Sequence, residues 1–120
     1  MATVTAGVKR LIINGQAMDV VKLGDFSVST VKQETVEVLA GEPGVRQKPR
    51  MAYIEVDVSL RGIKTADFVN KLNNFVHLEL TNGHTYEWVD AAEVGDGKVS
   101  PEDGTLTLRY EAARAREVVQ

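Results

Sequence analysis

From Ile54 to Arg61 the chain alternates without a break: Ile54, Val56, Val58 and Leu60 fall on one side, and Glu55, Asp57, Ser59 and Arg61 on the other. Successive side chains leave a β-strand on opposite sides, so a period of two marks a strand with one dry face and one wet face. A helix would spread the four aliphatic residues around most of its circumference. Pro49 precedes the run and Gly62 closes it, which bounds the strand at both ends. The aliphatic face demands a second layer to cover it, while two carboxylates two positions apart must stay solvated or find partners. The rest of the chain is read as what surrounds that strand.

One layered domain is enough for 120 residues, because a chain of this length buries about two-thirds of its unfolded surface in a single core. A hydrophobic content of 43% with 26% charged residues excludes a disordered chain. The net charge is −3 and the 14 Lys and Arg residues are scattered, which argues against tight phosphate binding. Cysteine is absent, so disulfides, thiolate metal sites and a cysteine nucleophile are excluded. The opening MATVTAGVKR holds no apolar leader, and no run approaches the roughly 18 apolar residues of a membrane span. The expectation is a chain made and used as a soluble protein.

Short strands and turns account for most of the remainder. Val8 to Ile13 is apolar and β-branched, and Asn14-Gly15 supplies a tight hairpin turn into Gln16 to Lys22. Leu23-Gly24-Asp25 reads as the next turn, followed by strands over Phe26 to Lys32 and Gln33 to Leu39 with a bend near Lys32. Ala40 to Arg50, AGEPGVRQKPR, has no hydrophobic period and reads as an exposed loop. A phosphate cradle would need a helix directly behind it, and here a strand follows. Thr65 caps a short helix to about Asn73, with Ala66, Phe68, Val69 and Leu72 as its apolar positions. Phe75 to Thr81 and His84 to Ala92 form a hairpin around Asn82-Gly83. Gly95 to Gly104 is a polar loop, Thr105 to Glu111 a last strand with Leu106, Leu108 and Tyr110 inward, and residues 112–120 are a helix or a flexible tail. The fold class that follows is mainly β: an antiparallel sandwich or barrel of seven to eight strands with one short helix.

No catalytic set and no cofactor site emerge. A two-residue turn at Asn82-Gly83 would set His77 against Trp88 and separate His77 from His84 by about 13 Å along the ladder, too far to share a metal. Asp96, Ser100, Glu102 and Asp103 suggest a calcium loop, but the order of ligands, glycine and closing glutamate is not that of an EF-hand. Glu55 and Asp57 share a strand face without a His or Lys partner in sequence, which leaves a solvated polar face as the default.

Taken together, an early strand with Asn14-Gly15, Pro49 before Tyr53-Ile54-Glu55, Asn82-Gly83-His84-Thr85-Tyr86, Gly95-Asp96, and Glu102-Asp103-Gly104 leading to Arg109-Tyr110-Glu111 resemble the tail tube protein of Mu-like contractile-tailed phages. The resemblance spans nearly the whole chain. It implies a non-enzymatic virion protein without cofactors, assembled in the host cytoplasm into hexameric rings that stack as a hollow tube for DNA ejection. It also implies contacts with tail initiator or baseplate, sheath and terminator proteins, and passage of DNA without specific binding.

On that reading Glu37, Glu55, Asp57 and Ser59 face the lumen, where like charge keeps DNA from sticking. Glu42, Arg46, Lys48 and Arg50 form a loop between rings, and open sheet edges become joints between neighbouring subunits. An alternative is a small β-barrel module that holds a ligand or peptide in its mouth. Solution size separates the two: a binding module stays monomeric or dimeric, whereas a tube subunit forms rings or rods.

Overall fold

The computed structural model describes residues 7–37 and 43–118. These are mainly β, with eleven strands among them: β1 (Val8–Ile13), β2 (Gln16–Met18), β3 (Val20–Ser27), β4 (Val31–Glu37), β5 (Pro43–Pro49), β6 (Ala52–Ser59), β7 (Asn74–Leu80), β8 (Thr85–Glu93), β9 (Val99–Ser100), β10 (Thr105–Ala112) and β11 (Arg114–Val118). Nine of them follow one antiparallel path, β2-β1-β7-β8-β10-β6-β3, with β11 added to β8 and β9 to β10. The path folds over into two leaves. One holds β2, β1, β7, β8 and β11; the other holds β9, β10, β6 and β3; they join where Ala92 and Glu93 of β8 reach Glu111 and Tyr110 of β10. Asp90 makes the corner with a φ of 53°, and the β7–β8 register shifts at the same place.

The alternation of β6 is complete, with Ala52, Ile54, Val56 and Val58 buried and the residues between them half-buried. Those side chains meet Leu106, Leu108 and Tyr110 of β10, Val76 and Leu78 of β7, and Trp88 of β8 in one core. Each fully buried Val, Ile or Leu contributes about 1.5–3 kcal/mol of transfer free energy. The Trp88 indole N–H is satisfied by the Ser27 carbonyl at 3.1 Å, which ties β8 to the end of β3 across the sandwich.

Several expectations are corrected. Leu23-Gly24-Asp25 is not a turn: β3 runs through it, absorbing the extra residue as a bulge between Leu23 and Phe26. Gly24 permits this, since a Cβ there would stand 3.1 Å from the Glu55 carbonyl oxygen. The bend expected near Lys32 falls earlier, between Ser27 and Val31. The helix over 65–73 is only a 3₁₀ turn at Thr65–Asp67, followed by the buried Phe68, and Leu72 is 71% exposed. Asn70 and Asn73 adopt φ of 59° and 60°, and the backbone groups a helix would use go to β8 instead: the Lys71 carbonyl accepts the Glu93 N–H at 2.9 Å. The undecided segment after residue 111 completes β10 and forms β11.

The exposed loop expected over 40–50 is replaced, from Pro43 onward, by β5, which pairs with β4 as a separate two-stranded sheet, from Val31↔Pro49 to Glu37↔Pro43. A strand without apolar alternation escapes recognition by period. Among the described residues this arm pairs with no strand of the sandwich, and the molecule measures 60 × 32 × 26 Å. Its radius of gyration is 16.9 Å, against about 13–14 Å for a compact domain of this length.

Candidate functional site

The outer face of β6 and β10 carries the acidic residues singled out in the sequence. Glu55 is opposite Arg109, which ion-pairs with it at 2.5 Å and with Glu111 at 3.0 Å, and whose guanidinium lies 4.7 Å above the Tyr53 ring. Burial pulls the Arg109 pKa down, but the hydrogen bonds to Glu111 and Glu55 outweigh it and raise it above the ordinary value. Asp57 accepts a hydrogen bond from the Thr107 hydroxyl at 2.7 Å, and the Ser59 hydroxyl accepts the Arg61 N–H at 3.2 Å. Glu55 and Asp57 therefore have partners that sequence order concealed, because β10 is about fifty residues away in the chain. Glu37 belongs to the arm and does not share this face.

The other leaf's outer face carries an ionic chain that the sequence reading missed. Arg10 of β1 pairs with Glu79 of β7 at 2.9 Å; His77 Nδ1 meets Glu87 of β8 at 2.9 Å; Arg116 of β11 meets the other Glu87 oxygen at 2.7 Å. Burial pushes the Glu87 carboxyl up, but hydrogen bonds from His77 and Arg116 outweigh it and hold it below the ordinary value of 4.5. His77 faces Glu87, not Trp88, because the turn holds three residues, Thr81 to Gly83, between Leu80 and His84. Trp88 belongs to the core face, so the two side chains could not meet on one side. His84 lies beside Glu117 at 3.0 Å, apart from this chain.

Of the residues assigned between rings, Glu42 lies outside the described residues. Arg46 and Lys48 stand on β5 opposite Glu34 and Lys32, beside the exposed Val45. Arg50 sits at the base of the arm, with its side chain turned onto Ser27 and Ser29.

Residues 2–117 match the family described as phage tail tube protein. The chain belongs to that family. It is thus a structural component of the phage tail, and its β-rich fold accords with the expectation drawn from the sequence. No curated protein matches it.

In this tail tube protein Trp88, Tyr110, Leu106 and Leu108 are fully buried between the leaves. Ser100 and Asp103 of the supposed calcium loop bond to each other at 3.2 Å within their own turn. Among the described residues no helix is long and apolar enough to cross a membrane.

One further residue escaped the sequence reading. Glu93 is 3% exposed, and its carboxylate accepts the backbone N–H groups of Arg109 at 2.9 Å, Gly95 at 3.0 Å and Asn70 at 3.2 Å. It pins the segment after the 3₁₀ turn and the exit of β8 to β10. Its charge and burial together push the neighbouring Tyr110 phenol up, with burial the larger cause.

Proposed function

We propose that this tail tube chain forms hexameric rings that stack into the hollow tube of a contractile tail, the conduit for DNA ejection, built from a baseplate initiator, enclosed by sheath and closed by a terminator. The arm carries this reading. A two-stranded sheet alone is marginal in water, and one that leaves its own domain with Val31 and Val45 exposed suits packing against another subunit. Its basic residues Arg46 and Lys48 would meet acidic groups of the next ring. The outer strands β2, β3 and β11 offer edges for lateral contacts within a ring.

Glu55, Asp57 and Ser59 line the lumen in this proposal. Support comes from Glu55 and Glu111, which hold Arg109 between them on that face. Ion pairing ties down the arginine, so the wall offers phosphate little to hold.

Negative-stain microscopy of the purified chain, alone and with a tail-initiating complex, tests the proposal. Hollow rods with six-fold end views are the expected product. The Arg50 N–H reaches the Thr30 carbonyl at 2.9 Å, so a short Gly-Ser linker can replace Val31 to Pro49. That variant should fold as a monomer and fail to elongate. A parent chain that stays monomeric under both conditions, or an arm-less variant that forms normal rods, overturns the reading.

A further inference from the structure

The arm joins the sandwich through two short segments, between Ser27 and Val31 on entry and between Pro49 and Ala52 on exit. Nothing in the strand pairing of the described residues fixes its direction, because β4 and β5 pair only with each other. The side chain that crosses the joint is Arg50. Its Nη2 donates to Ser27 Oγ at 2.6 Å and its Nε donates to the Ser29 carbonyl at 3.2 Å, while its backbone N–H donates to the Thr30 carbonyl at 2.9 Å. Ser27 is itself anchored: its carbonyl takes the Trp88 indole N–H at 3.1 Å, and it is in register with Tyr53 of β6. Ser29 extends the lash into the arm, its hydroxyl donating to the Val31 carbonyl at 2.8 Å.

From this we infer that Arg50 is a positioning residue, a clamp that holds the arm at a preset angle to the sandwich before assembly. An arm free to swing would have to lose that freedom at every ring added, whereas a held arm arrives in place. The functional half of this inference rests on the arm's proposed part in stacking; the angular half does not. The clamp depends on the guanidinium fork, which reaches two acceptors in different directions. A lysine keeps the charge and offers no such fork. If Arg50 instead served as one more cation toward the next ring, lysine would replace it.

The chain contains no cysteine, so Thr35→Cys on the arm and Lys64→Cys on the sandwich give one clean pair of spin labels for distance measurement in the free subunit. With Arg50→Lys, the swung population should rise about tenfold or more relative to the held one, as expected from losing a hydrogen bond to a charged group. Ser27→Ala removes the acceptor from the other side and should broaden the distances similarly, and combining both should add little. Both variants should keep the parent's melting temperature within a few degrees and elongate more slowly from initiators. Unchanged distance distributions in both variants would overturn the clamp. So would full elongation by Arg50→Lys with Arg50→Gln impaired, since charge alone would then suffice. An arm-less variant that still forms normal rods would instead refute the stacking role, leaving the distance result to stand.

Discussion

Glu93→Gln tests how the body of this tail tube protein is held together. The carboxylate receives two N–H groups on Oε2, from Gly95 and Arg109, and one on Oε1, from Asn70. A glutamine can place its oxygen at the Oε2 position and keep the first two, but its amide nitrogen then confronts the Asn70 N–H, donor against donor. Asn70 is exposed and this bond is only part-buried, so the unpaired donor costs about 1 kcal/mol, the low end for a lost partner, and the two surviving bonds lose their charge assistance, roughly 1 kcal/mol more. Relief from burying a charge offsets part of this. The net expectation is a loss of about 1–2 kcal/mol, a measurable share of a total stability on the order of 5–15 kcal/mol. At roughly 4 °C per kcal/mol for a chain of this size, thermal unfolding at neutral pH should drop by about 4–8 °C. Hydrogen exchange adds a local readout: the Asn70 and Gly95 amides should exchange faster by a larger factor than the Val56 amide in the middle of β6. A melting temperature within about 2 °C of the parent, with those amides still protected, would show that Glu93 is incidental to the corner.

Val56 is 2% exposed, so Val56→Asp buries an unpaired charge and should cost several kcal/mol; a soluble mutant with an unchanged melting temperature would mean the faces of β6 are reversed. Because the Glu87 carboxyl is held below its ordinary 4.5, its stabilisation is present above that value and is lost as pH falls through the lower folded value. Glu87→Gln should therefore be less stable than the parent at neutral pH and nearly equal to it in acid, and a constant difference across a pH series of thermal melts would count against the ionic chain. Glu55→Lys with Asp57→Lys changes the charge by four per subunit and sets a second cation beside Arg109 in place of its carboxylate partner. Virions carrying both should build tails of normal length and deliver DNA poorly, with salt easing the defect in an ejection assay. Normal delivery from tails containing the double mutant would remove these residues from the lumen.

What the sequence determined by itself was local. The buried faces of β6, β7 and β10 were legible because a period of two depends on nothing beyond the strand. The turn at Asn14-Gly15 was legible because those residues tolerate the φ of 53° and 83° they adopt. The tertiary structure decided wherever a local signal had to compete with a distant partner. Gly24 carried a turn signal and became a bulge because Glu55 lies against it. Residues 65–73 carried a helix signal and lost it because Glu93 and Asn74 take the backbone groups of Asn70 and Lys71. The polar stretch before Pro49 had no period to read, yet became a strand because β4 returns alongside it. The Arg109 pairing, the His77–Glu87 contact and the Arg50 clamp all join residues at least ten positions apart. Strand order and register set such contacts, since a shift of one residue would turn the Arg109 or His77 side chain to the opposite face.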